Sequence, residues 1–208
     1  MAGRKFSALA HWGTGLIAMG LSFLFIVIGW ETDHAIFLAS IFFLVICLAD
    51  TLHSKIPNLA NLALFLGGLG YQIYHHGTAG LEMSLLGAVT GFSLLILFHL
   101  MGGMGAGDVK ALAALGALLG PGEIFQVFLY MALFGGVMSI LHYVLAGKLK
   151  EKLQVGFHYL KSYVLTRDVK ILKPPPSGET LKFPYAAAIA FGFFAYVHWG
   201  SIFLTFSH

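Results

Sequence analysis

The chain has 208 residues, of which 58% are hydrophobic and only 10% charged, with a net charge of +3 and a mean hydropathy of +0.85. These values exclude a soluble globular domain and indicate an integral membrane protein, for which no nucleic-acid partner is expected. At 22.5 kDa there is room for one helical bundle, and one domain over residues 1–208 is expected. The single cysteine, Cys47, lies inside an apolar run and can form neither an intrachain disulfide nor a Cys-based zinc cluster by itself.

Apolar segments at 13–30, 34–50, 59–74, 81–100, 109–120, 124–146 and 183–206 predict an all-α, polytopic helical bundle of about seven transmembrane helices. Lys and Arg orient it, because cytoplasmic connections retain them. Arg4 and Lys5 precede the first span, Lys55 follows the second, Lys110 follows the fourth, and all the others lie between Lys148 and Lys182. The alternate connections hold Glu31, Asp33, Glu82 and Glu123 instead. All 12 basic residues therefore fit a cytoplasmic N-terminus. Residues 1–31 read as a retained anchor helix, since Gly-Trp-Glu-Thr-Asp at 29–33 lacks a small-x-small cleavage site.

The second span ends at Asp50, and the loop after it runs through Lys55 and Ile56 to Pro57, with Asn58 expected to cap the third span. After the fourth span comes Gly-Gly-Met-Gly-Ala-Gly-Asp-Val-Lys, residues 102–110. The twelve residues at 109–120 make only about 18 Å of helix, against a hydrocarbon core of roughly 30 Å. An unwound glycine-rich entry over 102–108 is therefore expected to supply the missing length, and Asp108 to face a wet cavity. Further on, 149–164 reads as a cytoplasmic interfacial helix that attracts anionic lipid, with Leu149, Leu153, Phe157, Leu160 and Val164 on one face and lysines around them. Lys-Pro-Pro-Pro-Ser-Gly at 173–178 is a stiff linker. The expected layout is thus catalytic helices over 34–146, an amphipathic segment and linker over 147–182, and a last helix over 183–206.

Asp50 and Asp108 are lone acids at the edges of apolar runs, on the same side and at similar depth. An ionisable group at membrane depth costs roughly 2.5 kcal/mol or more, which argues for a use. Two carboxylates sharing one proton can activate water and polarise a carbonyl, so peptide-bond hydrolysis is the implied reaction. Gly105 and Gly107 shape the loop before Asp108, while Lys110 and Lys55 either tune the site or anchor the cytoplasmic face.

Asp-x5-Ile-Pro-Asn followed by Gly-x-Gly-Asp-x-Lys resembles the type IV prepilin peptidases, a branch of the Gly-x-Gly-Asp intramembrane aspartic proteases. The small-residue helix at 111–120 and the Phe-Pro-Tyr-Ala-Ala-Ala opening of the last span at 183 are also similar, especially to the short forms that serve Flp-type, or tight-adherence, pili. The resemblance implies an endopeptidase of the bacterial inner membrane. It would cleave short basic leaders from prepilins or pseudopilins at the cytoplasmic face, with Asp50 and Asp108 as the catalytic pair. Gly105, Gly107 and Lys110 would form the active-site loop, and Lys55, Ile56, Pro57 and Asn58 would be substrate-binding candidates. The partners implied are a prepilin and membrane lipid.

Two departures stand out. The larger members carry two Cys-x-x-Cys pairs and an N-methyltransferase activity, whereas this chain has neither pair and is expected to be a protease only. The first span is additional to the six-helix family core. Ten histidines invite a metal reading, but His99 and His142 sit near cytoplasmic ends and His75 and His76 lie in an outside loop, so no metal and no cofactor is expected. A proton-coupled transporter could also use paired acids and a glycine-broken helix, although no inverted repeat is visible. A non-catalytic pilus-assembly scaffold is the other alternative, and it would have no need of both acids.

Overall fold

A computed structural model describes residues 2–53, 55–145, 154 and 185–202. Within these the chain is helical, in the order α1 (Ala2–Thr32), α2 (His34–His53), α3 (Asn58–Leu100), α4 (Ala106–Leu119), α5 (Pro121–Leu145) and α6 (Tyr185–Trp199). His34–His53, Asn58–Leu100 and Pro121–Leu141 are long and apolar enough to cross a membrane, and Trp12–Val27 and Tyr185–Trp199 are shorter apolar stretches. The protein is a helical membrane protein. The segment expected to form an interfacial helix at 149–164 and the proline linker at 173–178 lie outside the described residues, apart from Gln154.

The predicted third and fourth spans are the two halves of α3. They meet at Gly77, whose φ of 60° and ψ of −133° break the helix in the left-handed half of conformational space. The chain doubles back there so tightly that a side chain on Gly80 would run into the Gln72 carbonyl.

Between the halves lies α4. Asn61 meets Gly107 and Gln72 meets Leu118 on one side, while Gly91 faces Leu112 and Gly87 faces Gly116 on the other. Hence α4 runs parallel to the first half of α3 and antiparallel to the second. Glycine makes this approach feasible: a Cβ at Gly91 would lie 2.5 Å from the Leu112 carbonyl oxygen, and one at Gly68 would lie 2.7 Å from the Leu118 Cα. Backbone contact through small residues is how helices associate where no aqueous phase drives them together. The Gln72 side chain donates to the Leu118 carbonyl at 2.7 Å, satisfying one acceptor of the last turn of α4.

With neighbours on all sides, α4 is buried nearly throughout, including Val109, Leu112, Leu115 and Leu118. It begins earlier than the sequence suggests. Ala106, Gly107 and Asp108 are helical, so only 101–105 is irregular. Gly107, a residue with little helix tendency of its own, is seated there against Ile56.

The remaining helices complete the bundle through aromatic and small-residue contacts. Phe43 of α2 packs on Phe193 and Phe194 of α6 with ring centroids 5.4 and 5.7 Å apart, and Phe25 of α1 stacks on Phe194 at 4.5 Å. Gly192 lets α6 close on α5, since a Cβ there would come within 2.7 Å of the Met131 nitrogen. Thr51 of α2 touches Gly15 of α1, and Cys47 is buried beneath it. Large apolar side chains such as Leu16, Phe23, Leu62, Leu66 and Ile140 point outward, as a lipid-facing surface requires.

Candidate active site

Asp50 lies in the last turn of α2, which continues three residues past it to His53. The next residue, Thr51, turns its hydroxyl back to the Cys47 carbonyl at 2.6 Å and holds the turn against α1. Asp50 is half-buried, with one carboxylate oxygen fully enclosed.

The chain then leaves α2 and re-enters a helix at Pro57, the N-cap of α3, with φ −64° and ψ 128°. Its carbonyl accepts from the backbone N–H groups of Ala60 and Asn61 at 3.1 and 3.4 Å. Proline suits this place because its ring fixes φ and the N–H it lacks would be unpaired there. Asn58 is therefore not the cap. It is the first helical residue, and its side-chain oxygen accepts from the Lys110 ammonium at 3.1 Å.

Asp108 stands at the third position of α4 and is 8% exposed. Its Oδ2 accepts the backbone N–H of Gly105 at 3.0 Å, the half of a capping box that a glycine N-cap permits. A carboxylate here also faces the positive end of the helix dipole. Further bonds hold the preceding loop. Gly103 N–H donates to the Phe98 carbonyl at 2.9 Å, the His99 ring nitrogen Nδ1 lies 2.9 Å from the Met104 carbonyl oxygen, and the Tyr185 hydroxyl donates to the Gly103 carbonyl at 2.7 Å. Gly102 turns the chain with φ 78°.

These parts converge. Ile56 sits against Gly107, where an added Cβ would lie 3.2 Å from the Ile56 Cβ. Asn61 donates to the Gly107 carbonyl at 3.2 Å. The two carboxylates lie within electrostatic range, the charge on Asp50 being felt at Asp108. Of the other sequence candidates, Gly105 is the N-cap of α4, Lys110 is tied to Asn58, and Lys55 is exposed.

A cavity of about 260 Å³ borders the glycine loop, lined by Leu95, Phe98, Met104, Phe128, Met131 and Tyr185 among others. It is apolar, and Asp108 does not line it. Asp108 itself is drawn into the packing, because α4 starts early enough to include it. Asn61 and His99 had no signal in the sequence, since each acts through a backbone carbonyl that no motif records. Tyr185 stood in the Phe-Pro-Tyr opening of the last span without a role.

Residues 37–140 match the type IV leader peptidase family. The chain is 33% identical over 132 residues to a prepilin leader peptidase/N-methyltransferase of Dickeya chrysanthemi, covering 59% of this chain and 46% of that protein. It is 34% identical over 119 residues to a protein of the same description from Aeromonas hydrophila, covering 54% and 40% respectively. In both cases the match spans less than half of the relative's length. No solved structure matches. The matched segment contains Asp50, the Ile-Pro-Asn turn, the glycine loop and Asp108, and the chain belongs to the type IV leader peptidase family.

Proposed function

We propose that the chain is a membrane-embedded aspartic endopeptidase that removes short basic leaders from prepilins or prepilin-like proteins, with Asp50 and Asp108 as its catalytic pair. The observation that carries this reading is the position of Asp108, buried on the first turn of α4 within a family-matched segment that also holds Asp50 and the Ile-Pro-Asn turn. Family membership and the two N-methyltransferase-containing relatives support the substrate class.

In this mechanism the ionised acid removes a proton from water as the water oxygen bonds to the scissile carbonyl carbon. The protonated acid meanwhile hydrogen-bonds the carbonyl oxygen. The tetrahedral intermediate collapses when the amide nitrogen takes a proton from the pair, and the C–N bond breaks. One acid ends protonated and the other ionised, as at the start. Hydrogen bonds to Gly103, Gly105 and Gly107 hold the loop that would present Asp108.

The charge pattern supports a multi-pass protein of the bacterial inner membrane, with its N-terminus and both acids toward the cytoplasm, where a basic leader would arrive. In this topology the two halves of α3 are separate passes, joined outside at Gly77.

Co-expression with a leader-bearing prepilin tests the reading. Asp50→Asn and Asp108→Asn are each expected to reduce cleavage by about 10²-fold or more at equal membrane levels. Wild-type cleavage by either variant would remove the dyad.

A further inference from the structure

Asn61 lies one turn into α3, on the side facing α4, and is only 4% exposed. Its Nδ2 donates to the carbonyl of Gly107, the residue directly before Asp108, at 3.2 Å. Its Oδ1 is buried without a hydrogen-bond partner.

Stability alone does not account for this amide. Gly107 is the second residue of α4, so helix geometry already aligns its carbonyl with the N–H of Ala111. The carbonyl therefore does not depend on Asn61 to be satisfied. A buried oxygen with no partner is also a cost that an apolar side chain at the same place would avoid. What the bond does fix is the orientation of the Gly107–Asp108 peptide. Ile56 packs on the same glycine, and the Asp108 carboxylate is anchored on its other side by Gly105 N–H. An amide can do this without bringing a third charge to a pair of acids.

We propose that Asn61 is a positioning residue for Asp108: its hydrogen bond to the Gly107 carbonyl sets the first turn of α4, and with it the aim of the carboxyl group. The inference rests on the aspartic-endopeptidase reading above. Because Asn61 belongs to α3 and not to the glycine loop, it couples the helix that follows the Asp50 loop to the backbone that carries Asp108.

The test uses the full chain purified in detergent, with a leader-bearing prepilin as substrate, and compares Asn61→Leu, Asn61→Ala and Asn61→Gln with Asp50→Asn and Asp108→Asn. Removing the amide is expected to lower kcat by about ten- to a hundredfold, the scale on which small misplacements of catalytic groups are felt. KM should stay within about twofold, because the loss lies in the chemical step and not in binding. The thermal midpoint of Asn61→Leu or Asn61→Ala should not fall below wild type, and Asn61→Gln should recover part of kcat. A purely structural residue would behave differently, with kcat and thermal midpoint falling together and activity returning on cooling; that result overturns the inference. So does wild-type kcat in both Asn61→Leu and Asn61→Ala while the Asp→Asn variants are dead, and in that case the aspartic reading survives. Should the Asp→Asn variants cleave normally, the aspartic reading fails and the role of Asn61 fails with it.

Discussion

The Lys110 ammonium donates to the Asn58 side-chain oxygen at 3.1 Å and so joins the turn after Asp50 to the helix that carries Asp108. Both residues are exposed, so the bond is a tie at the rim of the site and not part of its core.

Lys110→Met and Asn58→Ala should each cost roughly 0.5 kcal/mol of stability, because an exposed charged hydrogen bond is weakened by solvent. Each should also slow leader cleavage several-fold without abolishing it. Combining them should cost less than the sum of the two, since both remove one interaction. A double-mutant cycle on thermal midpoints and on cleavage rates measures this coupling, and strict additivity would show that the bond makes no contribution.

Gly107 packs on Ile56 with little room. An alanine would bring its Cβ to 3.2 Å from the Ile56 Cβ, a contact that a shift of a few tenths of an ångström relieves. Gly107→Ala should therefore insert normally and retain reduced activity. Gly107→Val should be inactive, since overpacking here costs about 1–3 kcal/mol and displaces the turn that holds Asp108. Adding Ile56→Ala to Gly107→Val should restore some cleavage, and no recovery would mean that the clash lies elsewhere.

Gly91 meets the Leu112 carbonyl closely enough that any side chain would push α3 from α4. Gly91→Leu should yield a protein that inserts but unfolds at a lower temperature and is cut more readily by protease. The same substitution at Gly70, which has no neighbour within 4 Å, should be tolerated. Equal sensitivity at the two positions would contradict the packing described.

Reporter fusions test the topology. Fusions after Glu31, Gly77 and Glu123 should report the outer side, and fusions near Lys55 or Lys161 the cytoplasm. Inversion at Gly77 alone would mean that α3 does not pass the membrane twice.

Much of the helical plan could be read from the apolar runs, because membrane segments announce themselves by composition. The 34–50 and 124–146 runs correspond closely to α2 and α5. The breaks were harder to read. Between 74 and 81 the polar residues suggested a loop, yet a single glycine makes the turn and helix continues on both sides. At 102–108 the glycines suggested an unwound stretch, yet 106–108 are helical, with Gly107 seated against Ile56. Asn58 has the residue type of a cap, but Pro57 occupies the capping position and Asn58 turns to Lys110. From the sequence, Asp50 and Asp108 could be paired only by shared side and depth. The bonds from Asn61, His99 and Tyr185 end on carbonyls, which every residue possesses, so no local pattern could reveal them.

The enclosure of α4 by the two halves of α3 has a bearing on biogenesis. Synthesis runs from the N-terminus, so the hairpin that closes at Gly77 leaves the ribosome before the helix that fills it. Until α4 has been made, Gly68, Gly87 and Gly91 lack the backbone they pack against. A defect at these glycines would therefore leave the helix that bears Asp108 without its seat, even where every helix had entered the membrane.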